Sequence, residues 1–218
     1  MFQKLFFLIF VKPFMAIFIG LRVYGRHNLP KTHPFIIVAN HSSHLDTLSL
    51  LSVFPIKELS KIQPVAAGDY FNRNKLIAFL THKLFNILTI PRSGITRANN
   101  PVPIMKKAIE QGNSLIIFPE GTRSLTGEIG HFRPGITHLV KEIPGLKVVP
   151  VFLANMGRSL PKGEYLPLPF FCEIVIGEPL VLEGEKSEII RLLENAVKGL
   201  KLSYEEYYQE GDSDTVKG

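Results

Sequence analysis

Short, unbroken apolar runs rich in isoleucine and valine constrain the fold of this 218-residue chain more than any other feature. They are Phe35–Ala39 (FIIVA), Val65–Ala67, Leu88–Ile90, Leu115–Phe118 (LIIF), Val148–Leu153 (VVPVFL) and Glu173–Ile176. A strand with one wet face alternates apolar and polar residues. A run that is apolar nearly throughout suits a strand covered on both faces. Helical patterns separate the runs. Leu45–Val53 follows the first, and Asn74–Ile87 places Leu76, Ile77, Leu80, Leu84 and Ile87 at helical spacing. Val102–Gln111 begins beside a proline and ends at Gly112, as helix termini tend to. Gly135–Glu142 is a shorter candidate, and Ser187 precedes a stripe of Ile189, Ile190, Leu193, Val197 and Leu200. Strands alternating with helices predict an α/β layered fold: a central, mostly buried β-sheet flanked by helices.

Charge divides the chain into three. Residues 1–45 carry Lys4, Lys12, Arg22, Arg26 and Lys31 and no acid. Residues 203–218 carry five acids and one lysine, and the whole chain is +6. The N-terminus is also greasy. Leu5–Val11 (LFFLIFV) and Phe14–Leu21 (FMAIFIGL) flank Lys12-Pro13, 17 positions in all, whereas a span needs about 20 apolar residues. Lys4 and Leu5–Val11 also fit the start of a secretory leader, but no small-residue cleavage site precedes Arg22. The expectation is one or two helices lying at or half inserted in a membrane, their lysines at headgroup level. The domains are then membrane-associating helices over 1–25, a globular domain over 26–203 and an acidic, flexible tail over 204–218.

Two constellations carry chemistry. In Asn40-His41-Ser42-Ser43-His44-Leu45-Asp46 a buried strand ends and a helix begins, where open α/β sheets place their ligands. Ser43 and Asp46 fit a capping pattern. Asp46 in the first turn can fold back to an imidazole five residues earlier. A carboxylate on one ring nitrogen fixes the tautomer and leaves the other as a general base. Two other readings stay open: Asp46 as a cap only, and a metal site from His41, His44 and Asp46. The second constellation is Phe118-Pro119-Glu120-Gly121-Thr122-Arg123-Ser124, again after a strand. Gly121 lets backbone amides face a ligand, and the hydroxyls and guanidinium suit a phosphate. Glu120 could orient Arg123 or bind a substrate hydroxyl. Arg92, Arg97 and Arg133 also flank strand ends.

The chain has no G-x-S-x-G elbow, no P-loop and no G-x-G-x-x-G. Its one cysteine, Cys172, opens a strand after two phenylalanines and reads as core. A histidine and an aspartate with no protein nucleophile suggest that a substrate hydroxyl attacks directly.

His41-x-x-x-x-Asp46, Ile90-Pro-Arg92-Ser93, the Phe118–Ser124 string, Phe132-Arg133-Pro-Gly135 and Val148-Val-Pro-Val151 occur in that order. That series resembles the glycerolipid acyltransferases, over about Phe35 to Leu180. The resemblance implies a reaction. A fatty acyl thioester, on coenzyme A or acyl carrier protein, donates to a free hydroxyl, above all the sn-2 hydroxyl of 1-acyl-sn-glycerol 3-phosphate, giving phosphatidic acid. It implies His41 as base, Asp46 as its partner, and Arg92, Glu120, Gly121, Thr122 and Arg123 as the substrate site. No cofactor, metal or nucleic acid is implied; the partners are a lysophospholipid and the bilayer, at the cytoplasmic face of the cell membrane. Other acceptors, such as glycerol 3-phosphate, a different lysophospholipid or an amino-acid lipid, remain open, as does a non-enzymatic lipid-binding protein.

Overall fold

The computed structural model describes residues 2–68, 82–91 and 100–215, with side chains to residue 209. Among the described residues eight strands form one sheet. They are β1 (Arg22–Tyr24), β2 (Ile36–Ala39), β3 (Ile62–Ala67), β4 (Leu88–Ile90), β5 (Ser114–Ile117), β6 (Lys147–Ala154), β7 (Glu173–Ile176) and β8 (Leu180–Val181). Their order is β1-β7-β6-β2-β5-β3-β4, with β8 pairing β6. β2 lies parallel to β5 on one side and to β6 on the other. β7 and β8 run antiparallel to β6. The helices are α1 (Phe2–Phe6, continuing as π turns at Phe7–Val11 and Phe14–Phe18), α2 (Leu45–Val53), α3 (Pro101–Glu110), α4 (Gly135–Glu142), α5 (Met156–Ser159) and α6 (Lys186–Thr215).

The pleat of β2 explains the layering. Ile37 and Ala39 point into one core with α2 and the N-terminal helix, while Ile36 and Val38 point into the other with α3, α4 and α6. Both cores need apolar residues, so the strand reads apolar at every position. The six expected strands are all present, two with the expected bounds and the others with ends shifted by up to three residues. β1 and β8 were not expected: Arg22–Tyr24 is a polar edge strand and Leu180–Val181 is only two residues long. Most of the expected helix over Asn74–Ile87 lies outside the described residues; residues 82–85 are helical.

The N-terminal helix is part of the core. Phe7, Val11, Met15 and Ile19 are buried against the sheet. Strict spacing by four drifts ~40° per step on a helix of 3.6 residues per turn. The wider π turns, seen in Ile19 N–H to Phe14 O at 3.1 Å, offset that drift and keep the stripe straight. Pro13, which has no N–H to give, sits between the two π segments. The opposite face is apolar and exposed at Leu8, Ile9, Phe10 and Ile17. The boundary expected at residue 25 therefore does not separate two packing units. Lys12 also departs from its expected place at headgroup level. Its Nζ donates to Phe54 O at 2.9 Å, and Arg26 donates to Val53 O, so two cations cap the C-terminus of α2. Among the described residues no helix is long and apolar enough to cross a membrane.

The segment expected as a tail is helical as far as Thr215. α6 runs through it, and the hydroxyls of Tyr204 and Tyr208 donate to Glu173, which is buried at the start of β7. The tyrosines are the signal that the acids concealed: spaced by four, they fall on one face of the helix. Cys172 is fully buried, and burial pushes its thiol up to about 12. The thiolate is the reactive form, so the folded protein is expected to resist iodoacetamide at neutral pH and to react once denatured. Mass spectrometry of alkylated protein checks this.

Candidate active site

β2 and β5 are neighbours and parallel, so the chain leaves both at the same edge of the sheet. The His41–Asp46 loop follows β2, and the Phe118–Ser124 turn follows β5. Two hydrogen bonds sew them together. His41 N–H donates to Glu120 Oε1 at 2.8 Å, and Ser124 N–H donates to His41 O at 2.8 Å. Asn40 anchors the loop from the other side, exchanging a pair of hydrogen bonds with the backbone of Leu153 on β6.

Asp46 is completely buried in the first turn of α2. Its Oδ2 accepts from His41 Nδ1 at 2.7 Å, from Ser42 N–H at 2.7 Å and from Ser43 N–H at 2.9 Å. Ser43 Oγ returns a bond from Leu45 N–H at 3.1 Å. One carboxylate oxygen thus both shapes the loop and holds the imidazole. With Nδ1–H facing a carboxylate, the lone pair resides on Nε2. The ring lies flat on Phe118, centroids 4.2 Å apart and 19° between planes. Phe118 was expected only as the end of a strand; its place four residues from the turn's hydroxyls gave no sign of contact with His41.

Glu120 is buried, and its oxygens are occupied. Oε1 takes His41 N–H, and Oε2 takes Gly130 N–H at 3.0 Å. Burial pushes its carboxyl upward from the ordinary value, and the two backbone donors pull it back. In this arrangement Glu120 braces the His41 loop. Gln at this position puts an amide N–H₂ against one of the two backbone donors. Glu120→Gln is expected to lower stability by about 1–3 kcal/mol, the cost of a buried unsatisfied donor. Urea unfolding checks it.

Gly121 has φ +70°, and a Cβ there would sit 2.7 Å from Arg133 Nε. The glycine is required twice, by its conformation and by the guanidinium packed on it. Thr122 is exposed beside it. Arg123 Nη1 is buried with no hydrogen-bond partner among the described residues. Burial foremost, then the charge of Arg123, holds His44 below its ordinary pKa. Arg123 and Arg133 thus converge on the turn that supports His41. Arg92 and Arg97 lie outside the described residues. Among the described residues no group of three or more histidine, cysteine, aspartate or glutamate side chains is placed to hold a metal ion.

A buried donor without a partner is costly, and a cationic one suits an anion. Comparison with known proteins agrees in kind. The family profile described as Acyltransferase matches residues 20–154. A probable 1-acyl-sn-glycerol-3-phosphate acyltransferase of Mycoplasma genitalium is 31% identical over 62% of this chain and 48% of its own. The mouse 1-acyl-sn-glycerol-3-phosphate acyltransferase alpha is 26% identical over 83% of this chain and 61% of its own. The chain thus spans about half to three-fifths of the length of these relatives. The crystal structure of the 1-acyl-sn-glycerophosphate acyltransferase of Thermotoga maritima superposes with a TM-score of 0.71 at 23% identity, over 93% of this chain and 78% of that one. That likeness is one of fold.

Proposed function

The chain belongs to the acyltransferase family, and from that premise we propose that it transfers a fatty acyl group from an acyl thioester to the sn-2 hydroxyl of 1-acyl-sn-glycerol 3-phosphate. The product is phosphatidic acid, and the donor carrier is coenzyme A or acyl carrier protein. One observation carries the reading: the His41–Asp46 pair, 2.7 Å apart, is hydrogen-bonded through its loop to the turn that holds the unpartnered guanidinium nitrogen of Arg123.

The steps balance within these groups. His41 Nε2 takes the proton as the sn-2 oxygen attacks the thioester carbonyl. Asp46 stabilises the imidazolium that forms. The tetrahedral intermediate collapses, the carbon–sulfur bond breaks, and the imidazolium returns its proton to the leaving thiolate. Arg123, with Arg92, binds the acceptor phosphate and fixes its distance from the hydroxyl, which supplies orientation. Gly121 and Thr122 shape that pocket. The exposed apolar face of the N-terminal helix lies on the bilayer, so the amphiphilic acceptor reaches the site without fully entering water.

The test is a donor-by-acceptor panel on purified protein in vesicles. Acyl-coenzyme A and acyl carrier protein thioesters are offered against 1-acyl-glycerol 3-phosphate, glycerol 3-phosphate and lysophosphatidylcholine. The reading expects the first acceptor to be used best. Transfer to none of them overturns it.

A further inference from the structure

A second exposed apolar element stands apart from the N-terminal helix in sequence and meets it in space. It is the segment between α5 and β7. Tyr165, Leu166, Leu168, Phe170 and Phe171 are 93%, 78%, 47%, 39% and 64% exposed. A flexible loop would fold such side chains inward. This one is held open by its own backbone. Leu168 N–H donates to Ser159 O at 2.7 Å, and Ser159 Oγ donates to Leu168 O at 2.6 Å. Pro161, Pro167 and Pro169 further limit its conformations. Five apolar side chains in seven residues on a pinned loop form a patch that asks for cover.

The surroundings say what covers it. The ring of Phe171 rests on Gly20, at the end of the N-terminal helix: a Cβ there would lie 2.5 Å from Phe171 Cδ1. The loop therefore continues the apolar face of that helix. Cations rim the junction. The Arg22 guanidinium sits 5.2 Å over Phe171, and that of Arg158 sits 5.1 Å over Phe170. Lys162 adds a third charge; the acids beside these cations are Glu164 and the buried Glu173, whose Oε1 lies 3.9 Å from Arg22. An apolar tip with a basic rim fits an anionic lipid surface, where each cation near the headgroups contributes ~1 kcal/mol. It fits an apolar protein groove less well, because such a groove offers the arginines no counter-charge.

We propose that residues 161–171 are a second membrane-docking element, inserting their apolar side chains into an anionic bilayer beside the N-terminal helix. This rests on the reading of that helix as lying on the bilayer. The loop also reaches the reaction centre: Ser43 Oγ, in the His41 loop, donates to Leu160 O at 2.7 Å, so the docked loop fixes the height of the active site above the lipid.

The chain has no tryptophan, so a single one reports its own surroundings. Full-length Tyr165→Trp and, separately, Ile17→Trp are mixed with vesicles of phosphatidylcholine, with and without phosphatidylglycerol, and with brominated lipids. The proposal expects both tryptophans to shift to the blue and to be quenched, more strongly on anionic vesicles. Shift and quenching at residue 17 alone overturn the loop proposal and leave the helix reading standing. Signal at residue 165 alone overturns the shared face, and signal at neither overturns both. The double variant Tyr165→Ser/Leu166→Ser is expected to lower vesicle partitioning about tenfold or more, since it removes two apolar side chains from lipid. Its turnover of a short-chain, water-soluble acceptor should match the wild type. Unchanged partitioning contradicts the proposal.

Discussion

His41→Ala is expected to slow acyl transfer by about 10²–10⁴-fold, the usual contribution of a positioned general base. The acceptor hydroxyl is far too weak an acid to attack as an alkoxide at neutral pH, so its proton must leave during attack. His41 combines a carboxylate partner on Nδ1 with a partly exposed ring. His41 is 21% exposed at its side chain while Asp46 is fully buried, so the imidazole can meet a substrate that the carboxylate cannot. The loop should keep its shape without the imidazole. Asp46 Oδ2 retains Ser42 N–H and Ser43 N–H, and Glu120 retains the backbone N–H of residue 41. Melting temperature and vesicle binding should therefore stay close to wild type while product formation is lost. Steady-state rates beside a thermal melt check this.

Asp46→Asn is the second large effect, and it separates orientation from capping. An amide accepts hydrogen bonds at a helix start about as well as a carboxylate. If Asp46 only shaped the loop, the variant would turn over at nearly the wild-type rate. Placing the amide oxygen at Oδ2 keeps all three donors but removes the charge that stabilises the imidazolium. Its N–H₂ then occupies the place of Oδ1, which is buried without a partner. The reverse placement sets N–H₂ against His41 Nδ1–H and two backbone N–H groups. Either way the transition state suffers. The rate is expected to fall by up to ~10⁴-fold, as when an orienting carboxylate is made neutral, and stability by about 1–3 kcal/mol. The acceptor KM should change little, because Asp46 does not reach the phosphate.

Much of this was legible in the sequence, for physical reasons. A strand covered on both faces has to be apolar throughout, which marked β2, β5 and β6. The ends of such strands lie at the edge where open sheets place their ligands, which drew attention to the loops of His41 and Glu120. The spacing of five between His41 and Asp46 was readable because a helix start brings its first turn back over the preceding loop. What stayed hidden depends on contacts between distant segments. The contact of Phe118 with His41 and the Glu120 bond to the His41 backbone exist only because β2 and β5 are neighbours. No local pattern encodes strand order. The N-terminal helix was half legible. Its composition announced an apolar face, but two faces were apolar, and only packing tells which one the sheet takes. The acidic residues after Tyr204 suggested a solvated tail, while the burial of Glu173 at the far edge of the sheet could not be seen from α6.

The most direct test of the account pairs one tethered and one untethered acceptor. Ester formation from an acyl thioester is followed by mass spectrometry, with wild type and His41→Ala in the same vesicles. The acceptors are 1-acyl-glycerol 3-phosphate and the monoacylglycerol that lacks only the phosphate. Hydrogen bonds to a charged group contribute about 1.5–3 kcal/mol each. The account therefore predicts that wild type prefers the phosphate-bearing acceptor by ~10²-fold in kcat/KM and that His41→Ala esterifies neither. Equal use of both acceptors by wild type, or phosphatidic acid made by His41→Ala at the wild-type rate, would contradict it.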